Sequence, residues 1–199
     1  MKNKALFLDR DGVIIQMYYD TTLGIVDTPL TPQQVTFVPH ILSFLKTAQE
    51  LGFLLIVISN QPGVALKKVS KKDFDSMEQK ILSTLTKHDI KINHVYYCPH
   101  HPFAKIQKYK KACNCRKPNT QLIKKAISAY DVDIENSWLV GDSIFDIVAG
   151  TRMKLKTMLI ARIQETEYLR IVEEQLGDIK PTVLVKDLKH ATEILRTYE

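Results

Sequence analysis

An α/β fold, a mostly parallel sheet with helices on both faces, is predicted by three features of this 199-residue chain. Short apolar runs alternate with helical patterns throughout, polar or acidic residues follow several of the runs directly, and 45% hydrophobic content is enough to bury a full core. The first run, 5–8, is Ala-Leu-Phe-Leu and stops at Asp9. Residues 39–50 then read as a helix that starts at a proline and is closed by Gly52. A strand follows at 54–58, a helix at 71–87 opened by Ser70, and a strand at 94–97. A helix at 121–129, a strand at 138–140 and a helix at 145–153 continue the alternation, and strands at 157–160 and 182–185 with helices at 165–174 and 188–197 complete it. Residues 16–37 show weak periodicity and read as a long loop or flap able to close over a site.

No repeat, low-complexity tract or linker divides the chain, so residues 1–199 are expected to form one domain. No run of eighteen apolar residues occurs, which argues against a membrane span, and the N-terminus lacks the pattern of a signal peptide. Three cysteines, an odd number with Cys113 and Cys115 as a close pair, suit a metal in a reducing, cytoplasmic setting better than disulfides. The net charge of +6 favours an anionic partner, whether phosphorylated metabolite, nucleic acid or membrane surface.

In a parallel sheet, ligands bind beyond the carboxyl ends of the strands. Asp9 and Asp11 leave the first strand two residues apart, a spacing that points extended side chains the same way. Two carboxylates so close call for a cation or a shared proton, and both suit phosphate chemistry: the first can attack phosphorus while the second handles the proton. Gly12 would let the chain turn sharply. After the second strand, Ser59-Asn60-Gln61-Pro62-Gly63 offers a hydroxyl and exposed amides to phosphate oxygens, and Lys117 supplies a cation. After the run at 138–140, Gly141-Asp142-Ser143-Ile144-Phe145-Asp146 is another acidic strand end that could complete an oxygen-ligand magnesium site.

These motifs, in this order along nearly the whole chain, resemble the haloacid dehalogenase (HAD) superfamily of phosphatases. The resemblance implies a Rossmann-like fold with a minimal cap, Asp9 as nucleophile and Asp11 as general acid, then base. It further implies that Ser59 and Lys117 hold the transferring phosphoryl group, and that Asp9, Asp142 and the backbone carbonyl of Asp11 bind Mg2+.

Cys98-Pro99-His100, twelve residues ahead of Cys113-Asn114-Cys115, offers three thiolates and an imidazole, the composition of a closed structural Zn2+ site. His101 reads as a neighbouring surface histidine. With Cys98-Pro99-His100-His101-Pro102 and Cys113-Asn114-Cys115-Arg116-Lys117-Pro118, the zinc loop 98–115 is similar to that of the bacterial heptose bisphosphate phosphatases, with the histidinol phosphate phosphatases as the second family. That likeness implies a sugar bisphosphate substrate contacted by Arg116 and a structural zinc. The chain departs from the first family at Leu66 and Lys67, where Arg-Gly is common, at Ser143 in place of lysine and at Ile15 in place of asparagine. These differences bear on sugar specificity and leave phosphoryl transfer intact.

A basic zinc module that grips nucleic acid through the lysine-rich loop 105–117 is the competing class, with Tyr96, Tyr97 and Tyr109 to stack on bases. It gives no reason for Asp9, Asp11 and Asp142 at strand ends, where anions repel phosphate without a metal. The reading that explains both is a monomeric, magnesium-dependent phosphatase of a small phosphorylated metabolite.

Overall fold

The computed structural model describes residues 2–161 and 174–198. In chain order the elements are β1 (Ala5–Leu8), β2 (Tyr18–Asp20), β3 (Ile25–Asp27), α1 (Ile41–Glu50), β4 (Leu54–Asn60), α2 (Lys71–Lys87) and β5 (Ile92–Cys98). They continue with α3 (Gln121–Tyr130), β6 (Trp138–Gly141), α4 (Ile144–Arg152), β7 (Lys156–Ile160), β8 (Val183–Val185) and α5 (Leu188–Thr197). Each predicted strand and helix in the described residues is present, with ends shifted by one or two residues. The helix expected at 165–174 lies almost wholly outside the described residues.

The main sheet has the order β5-β4-β1-β6-β7-β8, and every pairing in it is parallel. Successive side chains of a strand face opposite sides of the sheet, and β1 shows the result. Leu6 and Leu8 join the core formed with α1, α2 and α5, while Ala5 and Phe7 join the core formed with α3 and α4. Helical spacing supplies the matching faces: Met77, Ile81 and Leu85 recur every fourth residue on α2 and are buried, as are Leu188, Ala191 and Leu195 on α5. Ser70 opens α2 by accepting a hydrogen bond from the Asp73 amide at 3.0 Å. Among the described residues, no helix is long and apolar enough to cross a membrane.

The strand order decides where a ligand can sit. The chain enters at β1 in the middle of the sheet, winds outward through β4 to β5, then returns to the other side of β1 for β6, β7 and β8. The reversal leaves a crevice at the carboxyl ends of β1, β4 and β6, the place where open parallel sheets take ligands.

The flap carries more structure than its sequence suggested. Residues 16–37 contain an antiparallel hairpin, β2 with β3, and a short 3-10 helix at Pro32–Gln34. Gln16 N donates to Thr36 O at 2.8 Å and Val38 N to Ile14 O at 3.0 Å, closing the base of the flap. Lys80 from α2 caps Pro32 O and Val35 O at 2.7 and 3.1 Å, and Lys68 pairs with Asp27 of β3. Three-residue strands are too short for a period of two to stand out, and their residues Tyr19, Ile25 and Val26 are exposed rather than packed.

Phe44 of α1 is fully buried between the sheet and the helices of its face. Phe44→Ala should lower the unfolding free energy by about 3–5 kcal/mol, read as a shifted midpoint in urea with the m-value unchanged. An unchanged midpoint would mean that α1 does not pack on the sheet as described.

Candidate active site

The crevice is built from three strand ends and one loop. Asp9 follows β1, with its amide still donating to Val140 O at 3.0 Å. Ser59 is the penultimate residue of β4, Asp142 follows β6, and Lys117 arrives from the loop between β5 and α3. Lys117 is the centre of the arrangement. Its ammonium, 2% exposed, lies 3.1 Å from Asp9 Oδ1, contacts Asp146 Oδ1 and donates to Ile58 O at 2.8 Å. Burial alone would lower its pKa, but Asp146 and then Asp9 outweigh burial and the net shift is upward. Asp146 is itself fully buried, and its carboxyl is raised by desolvation against the opposing pull of Lys117.

Each partner of Lys117 is fixed in turn. Ser143, the residue before α4, donates from its amide and hydroxyl to Asp146 Oδ2 at 3.3 and 2.6 Å, so that Asp146 caps the helix while it pairs with the lysine. Asn60 clamps the backbone of Lys117 from both sides, accepting from its amide at 2.9 Å and donating to its carbonyl at 3.1 Å.

Asp11 is bound separately. Arg10, 2% exposed, reaches its two oxygens through Nε at 3.0 Å and Nη2 at 2.9 and 3.2 Å. Gln61 Nε2 donates to Asp11 Oδ2 at 2.7 Å and to Ser59 Oγ at 3.1 Å, linking the ends of β1 and β4. Burial raises the Asp11 carboxyl above the usual carboxylate range, Arg10 opposes the rise, and Asp9 adds to it.

The thiols converge beside this crevice. Cys98 Sγ lies 3.0 Å from Cys115 Sγ and 3.5 Å from Cys113 Sγ, and Cys113 and Cys115 are 3.2 Å apart. His100 Nδ1 stands 3.1 Å from Cys115 Sγ and 3.8 Å from Cys98 Sγ. The sulfurs are too far apart for a disulfide and close enough to share one ion. Arg116, the next residue, is half-buried with Nη1 at 3.5 Å from His100 O.

Thus Asp9, Ser59, Lys117 and Asp142 meet at the carboxyl end of the sheet, Asp11 lies among them, and Cys98, His100, Cys113 and Cys115 form one cluster. Asn60 holds Lys117 with its side chain instead of turning its amide outward, as its sequence position suggested. Sequence reasoning left out of its ligand set Asp146, whose oxygen groups with those of Asp9 and Asp142, it gave Arg10 no role, and it aimed the amide of Gln61 at phosphate where the structure turns it to Asp11 and Ser59. The spacing of Asp142 and Asp146, one turn apart at a helix start, was the signal for the first. No local pattern marks Gln61 as the neighbour of Asp11.

A family model described as HAD-hydrolase-like matches residues 114–191. The chain is 32% identical over 193 residues, 96% of each protein, to the D-glycero-beta-D-manno-heptose-1,7-bisphosphate 7-phosphatase of Vibrio cholerae. It is 32% identical over 168 residues, 84% of this chain and 87% of the relative, to the D-glycero-alpha-D-manno-heptose-1,7-bisphosphate 7-phosphatase of Campylobacter jejuni. Among solved structures, the D,D-heptose 1,7-bisphosphate phosphatase of B. bronchiseptica, complexed with magnesium and phosphate, shares the fold with a TM-score of 0.77 at 24% identity, covering 98% of this chain and 99% of that one. Identity at this level along nearly the whole length of a relative, on a sheet wound in the same way, means that the chain belongs to the HAD-like hydrolases of the heptose bisphosphate phosphatase group and is a phosphatase.

Proposed function

We propose that this chain is a single-domain, magnesium-dependent phosphomonoester hydrolase that works through an aspartyl-phosphate on Asp9, with a sugar bisphosphate of the heptose 1,7-bisphosphate type as substrate. The observation that carries the mechanism is the charge balance at the crevice. Asp9, Asp142 and Asp146 offer three carboxylates whose oxygens lie within 4.8 Å of one another, and Lys117 returns one positive charge. The remainder of two negative charges suits a divalent cation held by hard oxygens. Gly12 supports the same fit: at φ +79, a Cβ there would stand 1.7 Å from Asp142 Oδ2, so only glycine lets Asp142 lie against this turn. Asp9, Asp142 and the carbonyl of Asp11 would hold the ion, with Asp146 beside them. Bound magnesium would neutralise charge on the phosphoryl oxygens and favour in-line attack.

The chain's own residues supply the remaining steps. A carboxylate oxygen of Asp9 attacks phosphorus, and the bond to the leaving oxygen breaks as Asp11 gives that oxygen a proton. Asp11, now ionised, takes a proton from water. The water oxygen attacks the same phosphorus, inorganic phosphate departs, and the carboxylate of Asp9 is restored. Lys117, next to the Asp9 carboxylate, and Ser59, whose bond from Gln61 leaves the hydroxyl proton to donate, would hold the phosphoryl oxygens. Arg116, beside them on the zinc loop, would meet the sugar or its second phosphate. The relatives' names support the substrate class and divide between the alpha and beta anomers.

Zinc is the ion that fits three thiolates and an imidazole with no open position, and Cys98, His100, Cys113 and Cys115 would hold it as a structural centre. It would order a lysine-rich loop that ends in Arg116 and Lys117.

Asp9→Asn should abolish release of phosphate from heptose 1,7-bisphosphate, other sugar phosphates and histidinol phosphate while the protein keeps its fold and a cooperative melt; retained turnover would remove Asp9 as nucleophile. That panel, run on the wild type, also tests the substrate, since faster turnover of histidinol phosphate than of any sugar bisphosphate would overturn the assignment. Gly12→Ala should lower magnesium affinity and cut kcat/KM by roughly 100-fold or more by displacing Asp142. Unchanged magnesium activation in that variant would show that Asp142 does not bind the ion. Protein purified without chelator should carry about one zinc per chain. Stripped of zinc and held in saturating magnesium, it should melt at a lower temperature and lose about 100-fold in rate as Lys117 shifts. Full activity with unchanged melting would disconnect the cluster from the site.

A further inference from the structure

Arg10 is a buried charge between the two carboxylates assigned to chemistry, and the steps above give it no part. Its Nε and Nη2 form a fork on Asp11, as the planar guanidinium does with a carboxylate. Beyond that fork the group sits in an aromatic corner. Its Cζ is 5.6 Å from the Phe74 ring centre and 5.8 Å from that of Tyr97, two rings in edge contact with each other at 5.6 Å and 76°. The Tyr97 hydroxyl donates to Glu78, one helical turn beyond Phe74 on α2. Nη1 of Arg10 is buried with no hydrogen-bond partner among the described residues.

A buried donor without a partner is costly, and a buried ion pair is often no more stable than apolar side chains of the same size. Stability alone therefore does not explain Arg10. We propose that Arg10 is the positioning residue of Asp11, fixing the direction in which that carboxyl presents its proton, and that Phe74, Tyr97 and Glu78 hold Arg10 in place. This rests on the reading of Asp11 as acid and base. The planar fork fixes the plane and rotation of the carboxyl, whereas a point charge would only neutralise it. Held by its own bond to Tyr97, the Glu78 carboxylate adds its field to Arg10 without drawing the fork away from Asp11.

The test compares kcat/KM for an alkyl phosphate, whose leaving oxygen needs the proton, with that for p-nitrophenyl phosphate, whose leaving group does not. kcat/KM runs only through the first phosphoryl transfer, so the later water step common to both esters drops out. Arg10→Lys keeps the charge and loses the fork. It should cut kcat/KM on the alkyl ester by about 30-fold and on the aryl ester by no more than about 3-fold, as a misaimed acid would. Glu78→Gln and Tyr97→Phe, remote from the reacting atoms, should shift the ratio the same way by roughly 3-fold with little change in KM. They decide the matter if Arg10→Lys does not fold. Asp11→Asn is the reference and should show the largest selective loss. If it does so while the folded Arg10, Glu78 and Tyr97 variants lose both esters equally or neither, the positioning role is overturned and the reading of Asp11 stands. If Asp11→Asn itself is unselective, the acid assignment falls and this proposal falls with it.

Discussion

The buried ammonium of Lys117 is the contact on which the rest of the crevice depends. It joins a strand end, a helix start and a loop through Asp9, Asp146 and Ile58 O. Moving an ammonium out of water costs several kcal/mol even after relaxation, and only near-complete pairing offsets the cost. The contacts with Asp146, Asp9 and Ile58 O supply that pairing. Removing Asp146 would leave the charge buried with half its compensation, and removing Lys117 would leave Asp9 and Asp146 repelling each other across a few ångströms.

That constraint explains features that look unrelated in the chain. Asn60 binds both backbone groups of Lys117 because a lysine on a long loop reaches its partners only if its main chain is fixed. Cys115 lies two residues before Lys117, so a cluster of ligands at 98–115 sets the loop within reach of the ammonium. Ser143 and Asp146 close the start of α4 on each other, which orients the same carboxylate toward Lys117. Acidic residues at a helix start are favoured by the helix dipole, so this position suits Asp146 before any ion is considered.

Much of this was legible in the chain, and the boundary has a physical origin. The parallel sheet could be read because β1, β4, β6 and β7 are buried on both faces and appear as unbroken apolar runs. Asp9, Ser59 and Asp142 could be read because each directly follows such a run. The cysteine cluster could be read because thiols in that pattern have few other uses. The pairings of Gln61 and Asp146 were lost because they are set by the winding of the sheet: Gln61 meets Asp11 only because β1 and β4 are neighbours, and Asp146 meets Lys117 across 29 positions. The hairpin of β2 and β3 was read as loop because no core selects its residues. Its strands are half-exposed or exposed, and Gly24 at φ +66, with the Asp20 carboxylate accepting from the Thr22 and Leu23 amides, is the turn signal that marks it.

On the proposed function, the two clusters would divide the work by the chemistry of their donors. Oxygens of Asp9, Asp142 and the buried Asp146 are hard donors, suited to an ion that exchanges with water and meets a phosphate. Sulfurs of Cys98, Cys113 and Cys115 with a ring nitrogen of His100 are softer donors that would close around an ion and leave it no vacancy. Exchanging the donor sets would defeat both purposes, since thiolates at the strand ends would trap a soft metal and carboxylates on the loop would hold it weakly. The same sorting accounts for the two basic side chains at the crevice. Lys117 is a compact charge set between two carboxylates, where a larger planar group would push β1 from α4. Arg10 faces a single carboxylate, where only a planar fork fixes both of its oxygens at once. Each cation matches the number and spacing of the oxygens it holds, and on the proposed function the geometry of attack and proton transfer would follow from that match.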